Sequence, residues 1–209
     1  MTLWVKICGV TTVDDACAAV DAGADALGVN FVETSRRRCS VEAAARIVES
    51  VPPRIRVYGV FAGSTREWVA EVIERTAIGG VQFHGDEPEE DLLGWPVPVI
   101  RAVAVRDESD VRTAMDRAGR VPGGRRRVLL DSARGGGSGV PFDHAAMERA
   151  RLDLSTTIVA GGLTPSNVAA VIGRLKPWGV DVAGGVEAGE PGVKVHSLIE
   201  EFVSNARSA

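Results

Sequence analysis

The residues with most chemical potential in this chain are a thiol, a carboxylate and two pairs of glycines. Cys8 closes the apolar run Trp4 to Cys8 and is followed by Gly9. A lone thiol is by default a small buried hydrophobe, and when deprotonated it is a base or nucleophile. Cys17 and Cys39 are read as the former. Asp131 closes the very apolar run Val128-Leu129-Leu130. A carboxylate there is poorly solvated, which favours its protonated form and the work of a general acid. It could equally accept hydrogen bonds from the following loop, and position alone leaves both readings open. Gly161-Gly162 and Gly184-Gly185 each follow a short apolar run. Glycines there let backbone N–H groups approach a phosphate without a Cβ in the way. One such pair is also what a tight turn needs; two on neighbouring strands point to a phosphorylated small molecule. Gln82 and His84 sit at the end of another run, before Gly85-Asp86. A structural hydrogen bond and a supporting role in a site are both open for His84. Arg101 either adds positive potential or is paired with an acid.

These residues need elements to carry them. Strand-like runs of β-branched and small apolar residues lie at Trp4–Cys8, Ala26–Phe31, Val57–Ala62, Gly80–Phe83, Val99–Val105, Val128–Asp131, Thr157–Ala160 and Gly179–Val182. Continuous apolar runs of this kind suit strands covered on both faces. Helical patterns alternate with them, at Val13–Ala22, Val41–Val51, Arg66–Arg75, Asp91–Leu93, Glu108–Ala118, His144–Arg149, Pro165–Leu175 and Val195–Ala206. Thr12 with Asp15, and Ser64 with Glu67, read as capping boxes, and Thr164-Pro165 as a cap before an initial proline. Eight strand–helix units without a composition break predict an α/β fold, a single (β/α)8 TIM barrel over residues 1–209. Such barrels usually run to about 250 residues, so this one is compact. A doubly wound open sheet is the competing architecture, but no GxGxxG follows the first run. In a barrel, chemistry sits where strands end, and a phosphate site commonly follows strands seven and eight.

Composition narrows the partners. The net charge of -4, and basic runs no longer than Arg36 to Arg38 and Arg125 to Arg127, argue against nucleic acid. Three widely spaced cysteines without CxxC or a Cys/His cluster argue against disulfides and zinc. No run approaches the roughly 20 apolar residues of a membrane span. Met1 to Gly9 has no long apolar leader and runs directly into a strand. A cytoplasmic setting is expected.

Taken together, the motifs resemble phosphoribosylanthranilate isomerase along the whole chain. They are KICGVT from Lys6, DAGADALG from Asp21, YGVF from Tyr58, VQFHGDE from Val81, LLDS from Leu129, GGSGVPFD from Gly136, AGGLTPSNV from Ala160, VDVAGGVE from Val180 and GVK from Gly192. KICG with VQxHGDE in this order is specific; GGLTP alone would be weak. The resemblance implies an Amadori rearrangement of N-(5-phosphoribosyl)anthranilate in tryptophan biosynthesis. It implies Cys8 as general base at C2' of the sugar, Asp131 as general acid at the furanose oxygen, and Arg37 as the group that binds the anthranilate carboxylate. Gln82, His84, Gly161, Gly162, Gly184 and Gly185 are the further expected binding residues. No metal or organic cofactor is expected, because the substrate nitrogen itself forms the iminium. The protein is expected as a monomer or homodimer.

The chain departs from the family pattern at several points. Ser35-Arg36-Arg37 replaces S-P-R, so two adjacent arginines compete for one role. Gly63 stands for a frequent asparagine, His144 for a tryptophan and Ala183-Gly184 for a serine pair. Rival enzymes fit less well. Ribulose-phosphate epimerases need paired His and Asp metal ligands, and only His84, His144 and His196 exist here. Indole-glycerol-phosphate synthase needs a Lys/Glu set that Lys6 alone does not supply. A bifunctional sugar isomerase uses two aspartates, and Cys8 occupies the place of one. A noncatalytic phosphate-binding barrel is the rival from another class; failure to turn over the anthranilate substrate would distinguish it.

Overall fold

The computed structural model describes residues 2–105, 109–113, 126–132 and 154–209. Eight parallel strands follow one another around a closed barrel. They are β1 (Trp4–Cys8), β2 (Ala26–Asn30), β3 (Arg56–Phe61), β4 (Gly80–Phe83), β5 (Val99–Val105), β6 (Arg126–Ser132), β7 (Ile158–Val159) and β8 (Gly179–Val182). Closure comes from β1 pairing with β8, which sets Trp4 against Gly179 and Lys6 against Asp181. The α-helices among the described residues are α1 (Val13–Asp21), α2 (Val41–Ser50), α3 (Arg66–Thr76), α4 (Val168–Leu175) and α5 (His196–Arg207). Residues 109–113 are also helical.

Side chains alternate across each strand, so the barrel has two cores, one inside the strands and one between strands and helices. Val5, Ile7, Leu27, Val29, Val57 and Phe61 belong to the layer between strands and helices. Ala26, Tyr58, Ile100, Ala102, Leu129, Ile158 and Ala160 fill the barrel interior, with Trp4 and Trp178 packed against them. Gly80 makes that filling possible, since a Cβ there would lie 2.4 Å from the Tyr58 ring. Toward the carboxyl end the buried polar groups Lys6, Gln82, Asp131 and Asp181 come from β1, β4, β6 and β8. Among the described residues no helix is long and apolar enough to cross a membrane.

The element boundaries follow local hydrogen bonding. Thr12 caps α1 as expected, its hydroxyl accepting from Asp15 N at 3.1 Å. The cap of α3 is Thr65 rather than Ser64, accepting from Trp68 N at 3.2 Å. Both residues are competent caps, and the helix starts where Val69, Val72 and Thr76 face inward. Helix α4 begins at Val168, not at Pro165. The Asn167 side chain accepts from Thr164 N at 2.8 Å and donates to Gly162 O at 2.9 Å, holding residues 164–167 as a turn. The segment expected as a helix at Asp91–Leu93 is a 3-10 turn over Glu89–Leu92, and the seventh strand spans only Ile158–Val159. The glycine loop Gly135–Gly139, His144 and the helical pattern His144–Arg149 lie outside the described residues.

Candidate active site

Lys6 and Cys8 come from alternate positions of β1 and both enter the barrel mouth. Gly28 on β2 leaves them room: a Cβ there would lie 2.7 Å from Cys8 Sγ and 3.1 Å from Lys6 Nζ. Lys6 is fully buried and hydrogen-bonds Asp181 Oδ1 at 2.8 Å. Burial alone would pull its pKa down, but Asp181 and Cys8 outweigh it and hold the ammonium above its ordinary range. The Cys8 thiol is pushed up by burial, and Lys6 and Lys194 pull it back.

The loop after β2 places the adjacent arginines differently. Ser35 Oγ accepts from Arg37 N at 3.1 Å and Ser35 O from Arg38 N at 3.1 Å. This turn leaves Arg36 exposed and turns Arg37 inward. Gly9 receives the Arg37 stem; a Cβ at its φ of +71° would lie 2.5 Å from Arg37 Cδ. Arg37 then grips Glu187 with two hydrogen bonds, from Nε to Oε1 at 2.8 Å and from Nη2 to Oε2 at 2.6 Å. Lys194 Nζ donates to Glu187 Oε1 at 2.8 Å and to Ala183 O at 3.0 Å. The hydrogen bond to Glu187 raises the Arg37 pKa, and burial lowers that of Lys194. Two cations around one carboxylate leave this corner of the rim positive.

On the other side of the mouth, Asp131 is buried near the end of β6, and His84 Nε2 stands 3.3 Å from its Oδ2. The backbone of His84 is separately satisfied, donating to Phe61 O at 2.8 Å. Gln82 is buried on β4, and its Oε1 has no hydrogen-bond partner among the described residues. A buried acceptor of this kind suits a ligand donor. Arg101 is paired: its Nη1 donates to Glu87 O at 2.7 Å and lies 3.4 Å from Glu87 Oε2. Glu87 also accepts from Gly63 N at 2.9 Å and Gly85 N at 3.0 Å, tying the loops after β3 and β4 together.

The loops after β7 and β8 interlock through glycine. Gly161 and Gly162 both have positive φ, 82° and 65°. Gly184 and Gly185 open a short 3-10 turn, and a Cβ at Gly185 would lie 1.8 Å from Leu163 O. The expected phosphate-binding glycines thus lie on loops in backbone contact.

Sequence reasoning did not single out Asp181, Glu187 or Lys194 as site residues, although two of the motifs contain them. Their partners Lys6 and Arg37 are 175 and 150 positions away, so the pairing emerges only once β8 closes on β1.

The profile of the N-(5'phosphoribosyl)anthranilate (PRA) isomerase family matches residues 5–205. The N-(5'-phosphoribosyl)anthranilate isomerase of Myxococcus xanthus (strain DK1622) is 41% identical over 210 residues, 100% of this chain and 98% of that protein. A crystal structure of phosphoribosyl anthranilate isomerase in complex with reduced 1-(o-carboxyphenylamino)-1-deoxyribulose 5-phosphate aligns with a TM-score of 0.82 at 35% identity, covering 99% of this chain and 100% of that one. The enzyme from Thermotoga maritima aligns with a TM-score of 0.87 at 34% identity, with the same coverage.

Proposed function

The chain belongs to the N-(5'-phosphoribosyl)anthranilate isomerase family, and from that premise we propose how its residues divide the work of the reaction. It isomerises N-(5'-phosphoribosyl)anthranilate to 1-(2-carboxyphenylamino)-1-deoxyribulose 5-phosphate, an aldose–ketose step of tryptophan biosynthesis. Asp131 is the general acid: it gives its proton to the furanose oxygen as the C1'–O bond breaks and the substrate nitrogen forms an iminium. Cys8 is the general base: its thiolate takes the proton from C2', and the electron pair moves toward the iminium to give the enolamine. Return of a proton to C1' and loss of the C2' hydroxyl proton give the ketone.

The observation that carries this division is the pair of strand ends. Cys8 and Asp131 are buried at the carboxyl ends of β1 and β6, each beside a basic side chain, Lys6 and His84 respectively. Arg37 recognises the anthranilate carboxylate from the positive corner it shares with Lys194 and Glu187, and a guanidinium whose plane is fixed suits a planar anion. Gly161, Gly162, Gly184 and Gly185 bind the phosphate through backbone N–H groups. Gln82 and His84 complete the binding surface. Every residue in this scheme comes from one chain, so monomer and homodimer are equally compatible with it.

Loss of anthranilate fluorescence during turnover tests the proposal. Cys8→Ser and Asp131→Asn, in folded protein, should each lower turnover by about 10²–10⁴-fold. Near-normal turnover in either variant removes that residue from the mechanism.

A further inference from the structure

A lysine with no exposed surface carries a large desolvation cost, and an apolar or neutral side chain would fill its place more cheaply. Lys6 is such a residue, and it stands two positions before the reactive sulfur on the same face of β1. Its ammonium has three donors, and Asp181 Oδ1 takes one at 2.8 Å. The Cys8 sulfur is its other neighbour. Both Sγ and Nζ lie within 3.1 Å of the point where a Cβ on Gly28 would stand. Among the described residues the other charged groups acting on Cys8 are Lys194, whose side chain has no exposed surface, and Arg37, whose stem packs over Gly9. Both of these are engaged by Glu187.

Resting on the assignment of Cys8 as the base, we propose that Lys6 is a positioning residue of the reaction: its ammonium stabilises the Cys8 thiolate, and Asp181 limits that stabilisation by sharing the ammonium. The two halves of the ion pair therefore act on the sulfur in opposite senses. Burial drives the thiol toward its neutral form; Lys6 is the strongest of the charges opposing it, and Asp181 works with burial.

The test reads Cys8 directly. The rate of alkylation by iodoacetamide is followed against pH on the peptide that contains Cys8, which separates it from Cys17 and Cys39. Lys6→Gln should move the midpoint up by about one unit or more. Turnover near neutral pH should fall about tenfold, with little change in KM and partial recovery at higher pH. Asp181→Asn should move the midpoint down, because the sulfur becomes the ammonium's one anionic partner. Shifts in the same direction, or no shift in either folded variant, overturn the proposal. Should Lys6→Gln fail to fold, the direction of the Asp181→Asn shift decides alone. An inactive Cys8→Ser variant with unmoved midpoints defeats only the role of Lys6. An active Cys8→Ser variant defeats the assignment of the base, while the midpoints still report the coupling.

Discussion

Replacing Glu187 by glutamine keeps the shape of the side chain and removes the charge that two enclosed cations share. The carboxylate accepts from Arg37 at 2.8 and 2.6 Å, from Lys194 at 2.8 Å and from Gly192 N at 3.0 Å. An amide accepts only through its oxygen, so its NH2 would face a donor of Arg37 or Lys194. Removing one partner of a buried pair costs about 3–5 kcal/mol. The Arg37 side chain keeps 10% exposure, which places this case toward the lower end, about 3 kcal/mol. For a chain of this size that is a fall in Tm of roughly 6–12 °C. The sign with pH is also determined. Burial pushes the Glu187 pKa up, but the hydrogen bond from Arg37 and the charge of Lys194 bring it below the ordinary value. Its stabilisation is therefore complete above the unfolded glutamate value of about 4.3 and lost as pH falls through the lower folded value. Urea unfolding of parent and Glu187→Gln, from neutral to acid pH, should show a gap that narrows below about pH 4. A variant within about 0.5 kcal/mol of the parent at neutral pH, or two parallel pH curves, would refute the reasoning.

Arg37→Met should raise KM more than it lowers kcat, while Arg36→Met should leave both near the parent's values; a larger effect from Arg36 would place the carboxylate site one residue off. Gly185→Ala puts a methyl group 1.8 Å from Leu163 O. It should lower stability by about 2 kcal/mol or more and raise KM, read by thermal melting and steady-state kinetics, and an unperturbed variant would mean the two loops are not locked together. Crystals grown in sulfate should hold an anion between the loops after β7 and β8, on the N–H groups of Gly162 and Gly184; side chains filling that space would remove the phosphate assignment.

The strands were the most legible part of the molecule. β1, β4, β5 and β8 have the bounds their apolar runs predict, because a strand buried on both faces leaves a continuous apolar signature. Helix starts were less so: Ser64 and Thr65 are chemically equivalent caps, and Asn167 diverts the chain from the helix that Thr164-Pro165 suggests. Within the site, strand-end position raised Cys8 and Asp131 as candidates but left each with a structural alternative, and the family resemblance supplied their roles and that of Arg37. That Arg37 turns inward while Arg36 stays exposed depends on the Ser35 turn and the space over Gly9, which the motif does not show. Arg101 is held by Glu87, fourteen positions earlier, in a contact made by loop geometry rather than periodicity. Glu187 and Lys194 carried no signal of their own, since a carboxylate or amine beyond a strand end is ordinarily solvated, and the partner of Asp181 within β8 is 175 positions away.

The β1–β8 seam also fixes when in the life of the chain this site can exist. Lys6–Asp181, Thr11–Gly192, Asp15–His196 and Arg37–Glu187 join residues 175, 181, 181 and 150 positions apart. During synthesis the amino-terminal third leaves the ribosome long before any of these partners. Until β8 arrives, Lys6 would have to be buried without its counter-ion, a cost that favours leaving β1 hydrated and unpaired. Early order is thus confined to neighbouring strand–helix units, whose loops are short and cheap to close. The last strand to be made supplies the ring's final seam and the counter-ion of Lys6 in one step. A nascent or nicked barrel lacking that strand would therefore be inactive as well as open.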